Sequence, residues 1–265
     1  MSNNQPRIAV RNLTTSYDTR VISSDLSVEI PEGGFSVIIG PNACGKSTLL
    51  RAIAKIHKQA QGSIVLDGKD TNSIKPKELA QQLGLLPQSA IAPEKMRVRD
   101  LVARGRSPHQ GLFRQWSTQD HQAVEQAMEL TNIAHIADRS VDELSGGQRQ
   151  RVWLALVLAQ DTPTVLLDEP TTYLDLAHQI DILELCQRMY QKQRRTVVAV
   201  LHDLNLATRY ATHLVVMKDG AIVAHGHPNE VMTESLMDQV FNLPSLVIED
   251  PVTKTPLVIP RRPDK

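Results

Sequence analysis

One short run does most to limit what this chain can fold into: "GPNACGKST", from Gly40 to Thr48. It fits the pattern G-x-x-x-x-G-K-[ST], and its flanks matter as much as its own residues. Before it runs "FSVIIG", a continuous apolar stretch suited to a strand buried on both faces. After it, "STLLRAIAKI" sets Leu49, Leu50, Ile53 and Ile56 at helical spacing. A glycine loop between a buried strand and a helix N-terminus converges backbone N–H groups on one point and adds the positive end of the helix. Gly40, Pro41, Asn42, Ala43, Cys44 and Gly45 make the loop, and Lys46, Ser47 and Thr48 lead into the helix. The arrangement implies a triphosphate site. Lys46 would supply a point charge for the β- and γ-phosphates, and Ser47 a hydroxyl ligand for Mg²⁺.

"VLLDE", Val165 to Glu169, supplies what such a loop needs beside it. Asp168 at the C-terminal end of a buried strand suits direct or outer-sphere Mg²⁺ coordination. Glu169, next to it, is placed to act as general base on a water attacking the γ-phosphate. One strand–helix–strand unit later, "VLHDLN" brings His202 to a strand end, where a γ-phosphate contact is expected. These three side chains, with Lys46, are expected at the carboxyl edge of one parallel sheet, the edge where ligands bind in such folds. Gln88, in "LLPQS", ends a further segment and could sense Mg²⁺ or the attacking water.

The rest of the chain fits an α/β protein. The first 30 residues alternate in short runs and read as antiparallel strands. "GSIVLDGKD" and "HLVVMKDGAIVAHG" each carry an Asp-Gly pair, the signal of a tight hairpin. From Ser89 to Gln160 the texture turns mostly helical, and Ser117 and Asp120 form a capping box at the start of one helix. Lys plus Arg (29) cancel Asp plus Glu (29), so no global field draws in nucleic acid or anionic lipid. The longest apolar run, Val152–Ala159, is far short of the roughly 20 residues that span a bilayer. The N-terminus carries no apolar signal core, and Cys44 and Cys186 mark no disulfide framework; a cytosolic protein is expected. Cys44 reads as a small filler or, alternatively, as a thiol activated by Lys46 and the helix N-terminus. The bases Lys95, Arg97, Arg99, Arg104, Arg106 and Arg114 read as a solvated basic face, or else as a contact with a membrane partner.

"LSGGQRQR", Leu144 to Arg151, is the odd stretch: two glycines introduce the plainly helical "VWLALVLAQ", although Gly costs roughly 1 kcal/mol against Ala inside a helix. Taken in order, "GPNACGKST", "LSGGQRQR", "VLLDEPTTYLD" and "VLHD" resemble the nucleotide-binding subunit of an ABC transporter. That resemblance implies a RecA-like P-loop NTPase core with an antiparallel β subdomain and an inserted helical subdomain. It spans a single domain, residues 1–265: core about 1–88 and 161–240, helical part about 89–160, C-terminal extension about 241–265. It implies ATP and Mg²⁺ as ligands, and a head-to-tail homodimer in which Ser145, Gly146, Gly147 and Gln148 of one copy face the nucleotide of the other. Tyr17 then resembles the aromatic that stacks on adenine, Gln88 the Q-loop glutamine, and Asp175 the D-loop aspartate. Ala43 stands where most members have Gly, and a local conformation that tolerates Cβ is expected there.

"GRSPHQGLFRQW", "TTYLDLAHQIDILELC", "VLHDLNLATRYATHLVVMKDG" and "EDPVTKTPLVIP" look like the subgroup that serves ferric-siderophore importers of the ferric enterobactin kind. The subgroup implies integral-membrane permease partners, a substrate-binding protein acting indirectly, and a peripheral place on the cytoplasmic face of the inner membrane. ATPases of heme, cobalamin or exporter systems share the same motor and stay open as alternatives. A DNA-associated ABC ATPase fits less well: residues 89–160 show neither heptads nor a cysteine cluster, and no nucleic-acid partner is expected.

Overall fold

A computed structural model describes residues 6–17, 20–57, 59–111, 116–172 and 174–261. Strands β1 (Ile8–Tyr17), β2 (Arg20–Ile30) and β3 (Phe35–Ile39) precede helix α1 (Lys46–Ile53), β4 (Gln59–Leu66) and β5 (Lys69–Asp70). Then come α2 (Pro76–Gln82), β6 (Leu83–Leu86), α3 (Val98–Ala103), α4 (Thr118–Leu130), α5 (Gly146–Ala159), β7 (Thr164–Asp168) and α6 (Leu176–Gln193). The chain continues through β8 (Thr196–Val200), α7 (Leu204–Tyr210), β9 (His213–Lys218), β10 (Ala221–Gly226), α8 (Pro228–Val231) and α9 (Glu234–Phe241), and reaches β11 (Ser245–Glu249) and β12 (Pro256–Pro260).

These elements form two compact units, Met1–Ile74 with Thr196–Lys265, and Lys75–Arg195. In the first, β2, β1, β4 and β5 make an antiparallel sheet, and β3 runs parallel between β8 and β9. All residues of β3 and β8 are buried, which is why both read as unbroken apolar runs. The β4–β5 and β9–β10 connections take the same turn: Asp67 and Gly68 have φ of 49° and 76°, Asp219 and Gly220 of 48° and 80°. Positive φ at both central positions is the type I′ geometry that matches strand twist, and Asp-Gly is among the few pairs that accept it. The C-terminal β11–β12 hairpin is tied to α7 through Asn205, which donates to the Val258 carbonyl (3.2 Å) and accepts from the Val258 N–H (2.7 Å), as a strand neighbour would. Thr208 Oγ1 adds a bond to the Pro256 carbonyl (2.7 Å).

In the second unit β6 and β7 pair in parallel, and α3, α4 and α5 pack together. The expected capping box is present at α4: Ser117 Oγ accepts from the Asp120 N–H, and the Asp120 carboxylate accepts from Ser117. One expectation is corrected here. Arg106 does not belong to a solvated basic face; it is 2% exposed, and its Nε donates to Asp120 Oδ1 at 2.9 Å while Nη1 donates to the Ala159 carbonyl at 2.8 Å. Burial pushes the Asp120 carboxyl up. Hydrogen bonds from Ser117 and Arg106, with the guanidinium charge, outweigh that and hold it below the ordinary carboxylate range. Arg114 lies outside the described residues.

Gly105, beside this pair, is there for closeness. A Cβ on it would sit 2.2 Å from the Leu156 carbonyl oxygen on α5. Gly105→Ala is therefore expected to lower stability by about 1–3 kcal/mol through overpacking, measured as a shift in the urea midpoint. An unchanged midpoint would mean that α5 yields at no cost.

Candidate functional site

In the first unit, β3 feeds the phosphate loop directly. Gly40 has no room for a side chain, since a Cβ would lie 2.2 Å from the Met217 carbonyl oxygen. Ala43 has φ 61°, so the expectation of an unstrained conformation is corrected. The left-handed form costs an L residue of order 1–2 kcal/mol, and the loop holds it there regardless. Gly45, at φ 101°, precedes α1 as its N-cap; no side chain caps the helix and no acid lies in its first turn. The positive helix end can thus take an outside anion. Lys46 is 5% exposed, and its Nζ donates to the Gly40 and Pro41 carbonyls, each at 2.8 Å. The ammonium lies along the very loop whose amides would face a phosphate. Pro41 and Asn42 complete the turn; Ser47 and Thr48 follow Lys46 in the first turn of α1.

Cys44 is buried with Sγ 4.0 Å from Lys46 Nζ. Burial raises the thiol above its ordinary range despite the lysine charge, which favours the filler reading. Because β3 and β8 pair in parallel, with Ile38 opposite Val200, the loop and His202 leave the same sheet edge. His202 is exposed there, just before Asp203, which caps α7 by accepting from the Leu206 N–H at 2.8 Å. Tyr17 ends β1, and its side chain lies outside the described residues.

The second unit repeats this layout. β6 and β7 are parallel, with Leu86 opposite Leu167, so Gln88 and the Asp168–Glu169 pair leave one common edge. Gln88 is exposed and Asp168 fully buried. Glu169 is half-buried with φ 55°, a left-handed glutamate at the end of a strand. Its carboxylate accepts from Thr172 Oγ1 (3.2 Å), and its carbonyl from the Thr172 N–H (3.3 Å). Ser47, Gln88 and Asp168 offer a hydroxyl, an amide oxygen and a carboxylate, hard donors of the type Mg²⁺ selects.

The oddity of "LSGGQ" takes physical form in α5. Ser145 is its N-cap and Gln148 closes a capping box: Ser145 Oγ accepts from the Gln148 N–H (3.3 Å), and Gln148 Oε1 from the Ser145 N–H (3.2 Å). The S-x-x-Q spacing signals this box, a use of Gln148 that a purely ligand-facing reading of the stretch passes over. Ser145 and Gly146 are exposed, and a Cβ on Gly146 would meet nothing within 4 Å; one on Gly147 would come 3.1 Å from Leu174 Cδ2. Among the described residues, none would clash with a side chain at Gly146. Asp175 is the N-cap of α6, accepting from the His178 N–H (2.9 Å) and bonded to His178 Nδ1 (2.6 Å). The bond from the His178 backbone, foremost, lowers its carboxyl below the ordinary range.

A fully buried strand that ends in a glycine loop and an uncapped helix is built to hold a triphosphate, so the chain is a P-loop nucleotide-binding protein. The ABC transporter family profile matches residues 23–172, and the chain belongs to that family. It is similar to the ferric enterobactin transport ATP-binding protein FepC of Escherichia coli (strain K12), 50% identical over 98% of this chain and 96% of that protein. It is also similar to the achromobactin transport ATP-binding protein CbrD of Dickeya dadantii (strain 3937), 47% identical over 96% of this chain and 94% of that one. Among solved structures, an inward-facing transporter assigned to the metal-chelate ABC type superposes with a TM-score of 0.83 at 29% identity, covering 98% of this chain and 99% of that one. The protein is an ATP-binding cassette, an ATPase on a RecA-like α/β core. Among the described residues no helix is long and apolar enough to cross a membrane.

Proposed function

We propose that this cassette is the ATP-hydrolysing subunit of an importer for a ferric siderophore, of the catecholate kind, working beneath separate membrane permease subunits on the cytoplasmic face of the inner membrane. The observation that carries this reading is the 50% identity with FepC over 98% of this chain and 96% of that protein. A substrate-binding protein delivers the chelate to the permease. Two copies pack head to tail, and ATP favours the closed pair by binding it more tightly than the open one.

In each composite site Tyr17 stacks on adenine while Lys46 and the backbone N–H groups of the loop from Asn42 to Thr48 hold the phosphates, with Gly40 and Pro41 shaping the turn. Ser47, Gln88 and Asp168 would hold Mg²⁺, which would supply positive charge against the phosphates. Glu169 takes a proton from the attacking water, and His202 touches the γ-phosphate. Ser145, Gly146, Gly147 and Gln148 of the second copy, with Asp175, complete the site from the other side. The open space over Gly146 supports this, because a backbone with no side chain and no neighbour lets a phosphate oxygen approach closely.

Ser145→Arg tests the composite site. A charged, bulky side chain there is expected to cost about 1.5–3 kcal/mol of transition-state stabilisation, one to two decades in turnover, with nucleotide affinity of the isolated subunit unchanged. Loss of nucleotide binding by the monomer would place the stretch within its own site instead. The cargo is tested by deleting the subunit in its host and following uptake of ⁵⁵Fe presented as several chelates. Loss of catecholate-bound iron uptake is expected; unchanged uptake of every chelate the host uses, with some other transport lost, would sink the reading.

A further inference from the structure

The helix that begins at Ser145 does more than present its N-terminus. At its second turn Gln150 Nε2 donates to the Pro170 carbonyl oxygen at 3.1 Å, the residue directly after Glu169. Further along, Arg151 Nη2 donates to Asp181 on α6 at 2.9 Å, and a Cβ on Gly147 would come 3.1 Å from Leu174 Cδ2. Pro170, Leu174 and Asp181 thus all meet α5.

What Gln150 holds is a strained turn of the site. Glu169 sits at φ 55°, a backbone form disfavoured for any residue with a Cβ, and such forms persist only where neighbours over-determine them. Thr172 fastens the glutamate from the far side of the turn. On the near side the following peptide belongs to proline, which has no N–H, so its carbonyl is the backbone handle that remains, and the Gln150 amide takes it.

We propose that Gln150 is a positioning residue for hydrolysis: by fixing the Pro170 carbonyl from α5, it sets the left-handed turn that aims the Glu169 carboxylate. The inference rests on the reading of Glu169 as general base. In the head-to-tail pair the consequence is specific. The N-terminus of α5 faces the nucleotide held by the other copy, while Glu169 serves the nucleotide of its own, so one hydrogen bond joins the two ends of that traffic.

Gln150→Met keeps length and helix propensity and removes the donor; Gln150→Lys keeps a donor on a side chain of similar reach. The full-length protein is assayed for ATP turnover and thermal unfolding. Gln150→Met is expected to lower kcat about tenfold, the effect of one well-placed hydrogen bond, with KM for ATP and the unfolding temperature unchanged. Gln150→Lys is expected to restore most of the loss. Placed in a Glu169→Gln background, Gln150→Met is expected to change the residual turnover no further, because the group it aims is already disabled. Wild-type kcat for Gln150→Met, a fall in kcat matched by a fall in unfolding temperature, or an equal loss in the Glu169→Gln background would each overturn the positioning role while leaving the base reading standing. Wild-type turnover by Glu169→Gln alone would overturn the base reading and this inference with it.

Discussion

Glu169→Gln is expected to bind ATP with unchanged affinity and to hydrolyse it roughly 10²–10⁴-fold more slowly. The amide preserves the size of the side chain and can still accept from Thr172 Oγ1, so that bond across the φ 55° turn is kept. What it loses is the ability to take a proton from water. If ATP favours the closed pair and hydrolysis releases it, the variant with ATP accumulates as a dimer, visible by size-exclusion chromatography with light scattering. Nucleotide affinity read by fluorescent-analogue titration and turnover read by phosphate release separate the two effects. Turnover near wild type would remove Glu169 from the chemistry and leave its unusual backbone without a function.

Breaking the Arg106–Asp120 pair is expected to be the most damaging single change outside the nucleotide site. The two side chains are 2% and 0% exposed, so removing either leaves a buried charge unmatched, at a cost of about 3–5 kcal/mol. Native domains hold only about 5–15 kcal/mol in total, so Arg106→Leu or Asp120→Leu is expected to unfold well below the wild-type temperature. The double change to leucines removes both charges together and is expected to recover much of the loss, although the Ala159 carbonyl then lacks its Arg106 donor. The same pair sets an acid limit. The folded Asp120 carboxyl is depressed, so its stabilisation is present in full above the unfolded value of about 3.9 and is lost as pH falls through the folded value. Urea midpoints measured from neutral down to acid pH are expected to fall less steeply in the double-leucine variant than in the wild type. Equal slopes would take Asp120 out of the acid response.

What could be read in the sequence was whatever is fixed by neighbours in the chain. The phosphate loop, the buried runs of β3 and β7, the Asp-Gly turns and the Ser117 box are all local, and each residue type leaves its mark within a few positions. Arg106 could not be read this way. Its partners are Asp120 and the Ala159 carbonyl, brought together only by the packing of α4 and α5, and nothing in "GRSPHQ" separates a buried arginine from a solvated one. The left-handed backbones of Ala43 and Glu169 are equally silent, since neither residue type favours that form; tertiary surroundings impose it. The role of Gln150 is equally non-local, since its partner, the Pro170 carbonyl, lies 20 residues further along the chain. Tyr173, quoted for the siderophore subgroup, lies outside the described residues.

The placement of β3 has a consequence for how the protein is born. This strand is buried along its whole length, yet both strands that flank it, β8 and β9, are made only after the entire Lys75–Arg195 unit has been synthesised. At ~5–20 residues per second the ribosome takes from several seconds to tens of seconds to supply them. During that interval Phe35–Ile39 is a sticky ribbon with two open edges, attached to a phosphate loop that has nothing to brace it. A nascent chain in this state invites chaperones or mispairing with a sibling on the same messenger. A circular permutant that begins at Thr196 and joins the old ends by a flexible linker would present β8 and β9 first and shorten that wait.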